Sequence, residues 1–231
     1  VIIHDCSQGA GEWLQLRLGI PTASRFGDLM TPTGKRRTGA TPQKYLAELA
    51  YARITGEHPS HFESKAMEQG TELEPEARAW YSVGHEIRRV GFVAEDNGRW
   101  GASPDGLVGE DGGLEIKCPW EANFCRYLMF NDPVYEPYYM QMQGCMWVCE
   151  RKWWDFVLFT KARNLAPYTC RVERDDGLCA AFDEHMPEIC ADLDEAVTTM
   201  MNTLGMDGEQ AAAQRAALEE AEHATYGMPD W

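Results

Sequence analysis

Three residues whose types and spacing suit phosphate chemistry lie in one short stretch. Asp105 sits in Ser103-Pro104-Asp105-Gly106-Leu107, and Glu115 and Lys117 sit in Leu114-Glu115-Ile116-Lys117-Cys118-Pro119. Nine residues separate Asp105 from Glu115, and among them Glu110-Asp111-Gly112-Gly113 reads as a turn between two runs of strand formers. Successive strand side chains alternate faces, so Glu115 and Lys117 project from one side about 6.5–7 Å apart, while Ile116 points into the core. A tight hairpin can return Asp105 to the side of Glu115. Two carboxylates with a carbonyl between them make a hard oxygen site suited to Mg²⁺, which keeps several waters. A metal held there lowers the pKa of an attacking water and stabilises charge developing on a phosphate. A lysine two residues from a ligand can orient that water, accept its proton or neutralise the developing charge. Taken alone, Glu-x-Lys is a common charge pair on an amphipathic strand. The upstream Pro-Asp turn, the hairpin spacing and the apolar flank of Leu114, Ile116 and Cys118 set this one apart.

The elements that must position these residues can be read from periodicity. Residues 11–30 read as two short helices joined at Gly-Ile-Pro, with Thr22 or Ser24 placed to cap the second. The stretch TPTGKRRTGATP (31–42) reads as a mobile loop. A helix is predicted over about 42–55, with Tyr45, Leu46, Leu49 and Ile54 on its apolar side. Another fits about 63–83, with Leu73, Ala77, Trp80 and Tyr81 inward. From residue 86 the period shortens, and EIRRVGFVAED, RWGASPDGLVG and GLEIKCP read as strands. A helix over about 134–150, strands at 152–160 and 168–175, and helices over about 177–203 and 208–224 complete the chain. This order predicts an α/β domain around a small mixed sheet rather than a regularly alternating doubly wound one. A single domain over 1–205 is expected, with a helical tail over 206–231.

Composition bounds the function classes. An apolar share of 44% and an aromatic share of 11% over 231 residues describe a chain able to bury a core. No apolar run approaches the roughly 20 residues that cross a bilayer. VIIHDCSQGAGEW lacks a basic region ahead of a long apolar stretch and does not read as a signal peptide, so an intracellular protein is expected. Eight cysteines without tight pairs read as free buried thiols, not as a disulfide framework or a zinc site. The net charge of -16 disfavours nucleic acid at first sight. Its distribution matters more: acidic residues concentrate in 173–222, whereas Arg17, Arg25, Lys35, Arg36 and Arg37 form a basic group, and a metal brings positive charge of its own.

The Pro-Asp and Glu-x-Lys pattern resembles the PD-(D/E)xK nuclease superfamily. The chain as a whole is similar to the lambda exonuclease (YqaJ-type viral recombinase) family within it. EWLQLRLGIPTAS (12–24), EQGTELEPEAR (68–78), ASPDGLVGEDGGLEIKCP (102–119) and YYMQMQGCMWVCERKWWDF (138–156) carry the resemblance, in that family's order, across about two thirds of the chain. The resemblance implies a restriction-endonuclease-like core of a small mixed β-sheet flanked by helices. It implies that Asp105, Glu115 and the Ile116 carbonyl bind Mg²⁺, with Mn²⁺ as a substitute and two ions in all. It further implies that Lys117 positions or deprotonates the water and that Glu74 serves the second ion or its waters, Glu72 and Glu76 being nearby alternatives. Arg17, Thr22 and Ser24 match the family's 5′-phosphate pocket. Gln141 matches its helical glutamine beside the active site, Gln143 being the alternative.

The function implied by the resemblance is that of a 5′→3′ exonuclease. Such an enzyme degrades one strand of linear double-stranded DNA with a 5′-phosphate end and leaves a 3′ overhang. The resemblance also implies a homotrimeric ring, with Lys35, Arg36 and Arg37 lining its channel, and a single-strand annealing protein as partner. The expected location is the cytoplasm of a bacterial host, encoded by a phage or prophage. The competing expectations are a RecB-like or Cas4-like nuclease and a non-catalytic DNA-end-binding protein. Trp13, Trp80, Trp147, Trp153 and Trp154 read mostly as core, and His58 and His61 as surface.

Overall fold

The computed structural model describes residues 1–59, 65–130, 136–162 and 164–206. The expected tail beyond 206, the start of the helix predicted at 63 and His61 lie outside the described residues. Five strands form the central sheet: β2 (Ile87–Arg88), β5 (Gly106–Val108), β6 (Gly112–Lys117), β7 (Trp153–Leu158) and β8 (Tyr168–Glu173), in the order β2-β5-β6-β7-β8. Only β6 and β7 run parallel, joined by a crossover through α5 (Glu121–Met129) and α6 (Glu136–Val148). The other neighbours are antiparallel, so the sheet is mixed, as expected. A second antiparallel sheet pairs β1 (Ile2–His4) with β3 (Phe92–Ala94) and β4 (Gly101–Ala102).

Alternation along β6 and β7 splits the core in two. Leu114, Ile116 and Cys118 of the β6 segment join Val157 and Phe159 against Leu73, Ala77 and Tyr81 of α4 (Lys65–Ser82). Trp154, Phe156 and Leu158 face the other way, toward α6, α3 (Ala40–Thr55) and α7 (Asp176–Thr203). Spacings of three and four on α7 turn Leu178, Phe182, Met186, Ile189 and Leu193 inward. The Asp175 carboxylate caps that helix by accepting from the Leu178 N–H at 2.9 Å. Gly56 ends α3 in the left-handed conformation, φ 76°.

Several expectations change on contact with neighbours. Gly112 and Gly113 lie inside β6, and the turn is made by Gly109, φ 55°, with Glu110 and Asp111. A Cβ on Gly113 would come 2.2 Å from the ring of Trp154, which is fully buried, so this glycine serves close approach rather than turning. Thr22 precedes a 3₁₀ turn (Ala23–Arg25) that leads into α2 (Phe26–Leu29), yet neither hydroxyl caps it: Thr22 Oγ1 and Ser24 Oγ bond each other at 3.3 Å. The 31–42 loop is pinned rather than loose, because Arg36 pairs with Glu188 and Asp192 of α7 and the Arg37 Nε donates to the Gly27 carbonyl at 2.7 Å. Arg53 and Arg99 both reach Asp194, so three arginines pair with the acidic helix. Trp80 is exposed rather than core. Five of the eight cysteines are buried, but Cys125 is exposed and Cys6 and Cys170 are intermediate. His58 Nε2 donates to the Leu14 carbonyl at 2.7 Å.

Candidate active site

Asp105 follows β4 at the point where the chain leaves one sheet for the other. Its Oδ2 accepts the Ile116 N–H at 2.6 Å, which places it beside β6 just past the last β5–β6 pair, Gly106 with Leu114. A residue's N–H and C=O point to the same edge of a strand, so this bond also directs the Ile116 carbonyl toward Asp105. Ile116, Asp105, Lys117 and Glu74 line a single cavity of about 430 Å³.

Glu115 and Lys117 occupy the face of β6 turned to α6. Glu115 is 1% exposed. Its Oε1 accepts from Gln141 Nε2 at 2.7 Å and pairs with the Lys117 ammonium, whereas Oε2 is buried without a partner. An unpartnered carboxylate oxygen in a dry position is costly unless something cationic is meant to meet it. Burial pushes the Asp105 carboxyl well above the usual carboxylate range, and the neighbouring Glu115 charge adds to the rise. Burial alone would lower the Lys117 ammonium, but the Glu115 and Asp105 carboxylates outweigh it and the net shift is upward. The ammonium also lies 5.2 Å from the ring centre of Tyr138.

The donor set fits a hard divalent cation: two carboxylates, one with a free buried oxygen, and a backbone carbonyl between them. Among the described residues no three His, Cys, Asp or Glu side chains gather tightly enough to hold an ion. A cation at this site would be met by the two carboxylates and would keep water in its remaining positions. Glu74 is turned to Arg78, one helical turn on, and Arg78 Nε donates to the Asp105 carbonyl at 3.0 Å. Arg78 thus ties α4 to the Asp105 turn. Its signal in the sequence was the i,i+4 pairing with Glu74.

Arg17, Thr22 and Ser24 line a second cavity of about 410 Å³ with Trp13 and Tyr45. Arg17 Nη1 donates to Ser103 Oγ at 2.7 Å and Trp13 Nε1 donates to the same oxygen at 2.9 Å. Ser103, two residues before Asp105, therefore links the two cavities, and sequence reasoning missed it. The guanidinium stacks on Trp13 at 4.3 Å and pairs with no carboxylate among the described residues. Arg25, by contrast, is committed to Asp28 and Glu48. Of the two glutamines, Gln141 is the one that reaches Glu115. Gln143 is structural, donating to the Glu173 carbonyl at 2.8 Å and accepting from the Asp175 N–H at 2.9 Å. Lys35, Arg36 and Arg37 line neither cavity; Arg36 is held by α7 and Arg37 by the Gly27 carbonyl.

Residues 12–152 match the YqaJ-like viral recombinase domain. The chain belongs to that family. Among solved structures, this YqaJ-like chain is similar to the alkaline exonuclease LHK-Exo from Laribacter hongkongensis, with 35% identity and a TM-score of 0.75. The match covers 85% of this chain and 98% of that one. The complex of LHK-Exo with dAMP matches at the same identity and coverage, with a TM-score of 0.74. A phage related exonuclease from Haemophilus somnus shares the fold at 20% identity and a TM-score of 0.57, over 82% of this chain and 100% of that one. No curated protein sequence matches the chain. The YqaJ-like chain is thus a nuclease of the exonuclease type on a PD-(D/E)xK core. Nucleases of this family are generally divalent-metal dependent. No helix among the described residues is long and apolar enough to cross a membrane.

The single side-chain donor to Glu115 other than Lys117 is Gln141, among the described residues. Gln141→Ala is expected to lower Mg²⁺-supported nucleotide release about 10–100-fold, as loss of a group orienting a metal-binding side chain does. The unfolding midpoint in urea should stay near wild type, since Gln141 is only half-buried. Release at the wild-type rate would remove Gln141 from the site.

Proposed function

We propose that this YqaJ-like nuclease is a Mg²⁺-dependent 5′→3′ exonuclease that removes mononucleotides from one strand of linear double-stranded DNA. The observation that carries this reading is the free, buried Oε2 of Glu115 beside Asp105, with the Lys117 ammonium on the same strand face. Asp105, Glu115 and the Ile116 carbonyl would hold the metal, which when bound supplies an activated water and charge stabilisation at the phosphate. Gln141 and Lys117 fix the orientation of Glu115. Lys117 presents positive charge to the cavity where the attacked phosphate gains negative charge. Arg78 holds the Asp105 turn in register with α4 and keeps Glu74 at the cavity wall.

The 5′ polarity is supported by the second cavity. Arg17 is a guanidinium without a carboxylate partner among the described residues. The Thr22 and Ser24 hydroxyls accompany it, and its bond to Ser103 sets it next to the Asp105 segment. Forked donors with hydroxyls suit a terminal phosphate. That a 35% identical exonuclease has been solved with dAMP supports a mononucleotide product. The reading includes a 3′ overhang passed to a single-strand annealing protein, a homotrimer, and the cytoplasm of a bacterial host. Lys35, exposed and without an ion-pair partner among the described residues, is the basic-loop residue most available to DNA.

The test is digestion of linear duplex DNA carrying a 5′-phosphate, in Mg²⁺ or EDTA, beside closed circular DNA and a 5′-hydroxyl duplex. The expected outcome is Mg²⁺-dependent loss of the linear substrate alone, with end label released as mononucleotide and slower attack on the 5′-hydroxyl. Cutting of the circle would make the protein an endonuclease. End binding without cutting would favour the non-catalytic reading.

A further inference from the structure

Trp120 ends the Lys117-Cys118-Pro119-Trp120 segment and begins α5, where its carbonyl accepts the Phe124 N–H at 2.9 Å. Pro119 ahead of it and the helix after it restrict the backbone, so the indole turns on a fixed pivot. Three residues span at most about 11 Å, which keeps that pivot near the end of β6 where Lys117 sits. The indole lines the same cavity as Asp105 and Lys117. It is 45% exposed, and among the described residues it makes no hydrogen bond and no ring contact. Trp100, by contrast, stacks on Trp147, and Trp153 lies under Arg171. An open aromatic face on the rim of a charged cavity is chemically suited to a flat π-system whose phosphate lies in that cavity.

We propose that the Trp120 indole is the stacking platform for the base of the nucleotide being removed, a positioning contact that acts on the base and not on the phosphate. This rests on the exonuclease reading. Every base has a π-face, so the contact tolerates any sequence, as an enzyme that moves along a strand requires. The cavity of about 430 Å³ falls in the range of about 300–1,000 Å³ typical of small-molecule sites.

The experiment compares wild type, Trp120→Ala and Trp120→Phe on two 5′-phosphorylated duplexes in Mg²⁺. One begins with a normal nucleotide and the other with an abasic residue. For the normal end, Trp120→Ala should raise KM roughly tenfold, and Trp120→Phe should restore most of the loss. On the abasic end the three proteins should behave alike. Equal losses on both duplexes, or no loss on either, would overturn the proposal. A change of molar mass in Trp120→Ala would also overturn it, because the indole would then serve contact with a second copy of the chain. A calorimetric titration with dAMP and with deoxyribose 5-phosphate separates this idea from the exonuclease reading. Wild type should bind dAMP about tenfold more tightly than Trp120→Ala does, with deoxyribose 5-phosphate unaffected by the substitution. If wild type cut no DNA yet showed this difference, the exonuclease reading would fail and the stacking role would stand. If it cut DNA without this difference, the reverse would hold.

Discussion

Replacing Lys117 by alanine is expected to slow single-turnover hydrolysis of the first phosphodiester about 10²–10⁴-fold, the range seen when a positioned proton-transfer or charge-stabilising group is removed. Lys117 sits on the β6 face shared with Glu115, pairs with Glu115 Oε1 and rests beside the Tyr138 ring. Its loss removes the cation nearest the cavity and leaves Glu115, 1% exposed, with Gln141 as its remaining side-chain donor among the described residues. Both effects fall on the cavity lined by Lys117 rather than on the one lined by Arg17, which does not depend on Lys117. DNA-end binding measured in Ca²⁺ should therefore remain within a few-fold of wild type. Lys117→Arg keeps the charge but replaces a compact ammonium with a planar fork, and is expected to recover only part of the rate. A Lys117→Ala protein that binds ends and cuts at the wild-type rate would remove the lysine from the mechanism.

Asp155→Ala is expected to destabilise the fold by about 2–3 kcal/mol, the cost of losing hydrogen bonds to a buried charge. Asp155 is 3% exposed on the β7 face that meets α4. It accepts from Tyr81 OH at 2.6 Å and from Arg171 Nε and Nη2 at 2.8 and 3.0 Å. The Arg171 side chain is 46% exposed and can return to water, so the full cost of stranding a buried charge does not apply. The Tyr81 hydroxyl, 3% exposed with its residue, is left without a partner. In a chain of this size the change corresponds to a drop in Tm of roughly 5–10 °C. Urea unfolding checks the magnitude, and a cost below about 1 kcal/mol would mean that the cluster contributes little net stability. Burial first, and then Asp155, push the Tyr81 hydroxyl well above its ordinary value. The unfolded chain releases that proton near pH 10, while the folded chain holds it. This contribution is present in full below about pH 10 and is lost as pH rises further, a decline that Tyr81→Phe should lessen.

The candidate site's segment was legible because its information is local. Strand alternation puts Glu115 and Lys117 on one face whatever packs against it, and the short span to Asp105 leaves a hairpin as the way to bring the three together. The helices over 40–55, 65–82 and 176–203, and the strands at 153–158 and 168–173, showed through for the same reason: each carries its own period. Strand β1 and helix α5 did not, being too short or too mixed in pattern to announce themselves.

What the sequence by itself determined about this protein is local placement: Glu115 and Lys117 share one face of a strand, and Asp105 lies a short hairpin away from them. Which residues join them and which are spent on the scaffold was decided only in three dimensions. Gln141 and Gln143 are two residues apart on one helix, yet one meets Glu115 and the other ties off the ends of β8 and α7. Arg17 and Arg36 are equally cationic, yet Arg17 lies on Ser103 without a carboxylate among the described residues while Arg36 is consumed by the acidic face of α7. Trp154 fills the space left by Gly113, and Trp120 is left open at the cavity rim. The physical reason is the same in each case. A side chain's type and period are properties of its own segment, whereas its partner and its exposure to water are set by whichever distant segment the fold brings against it.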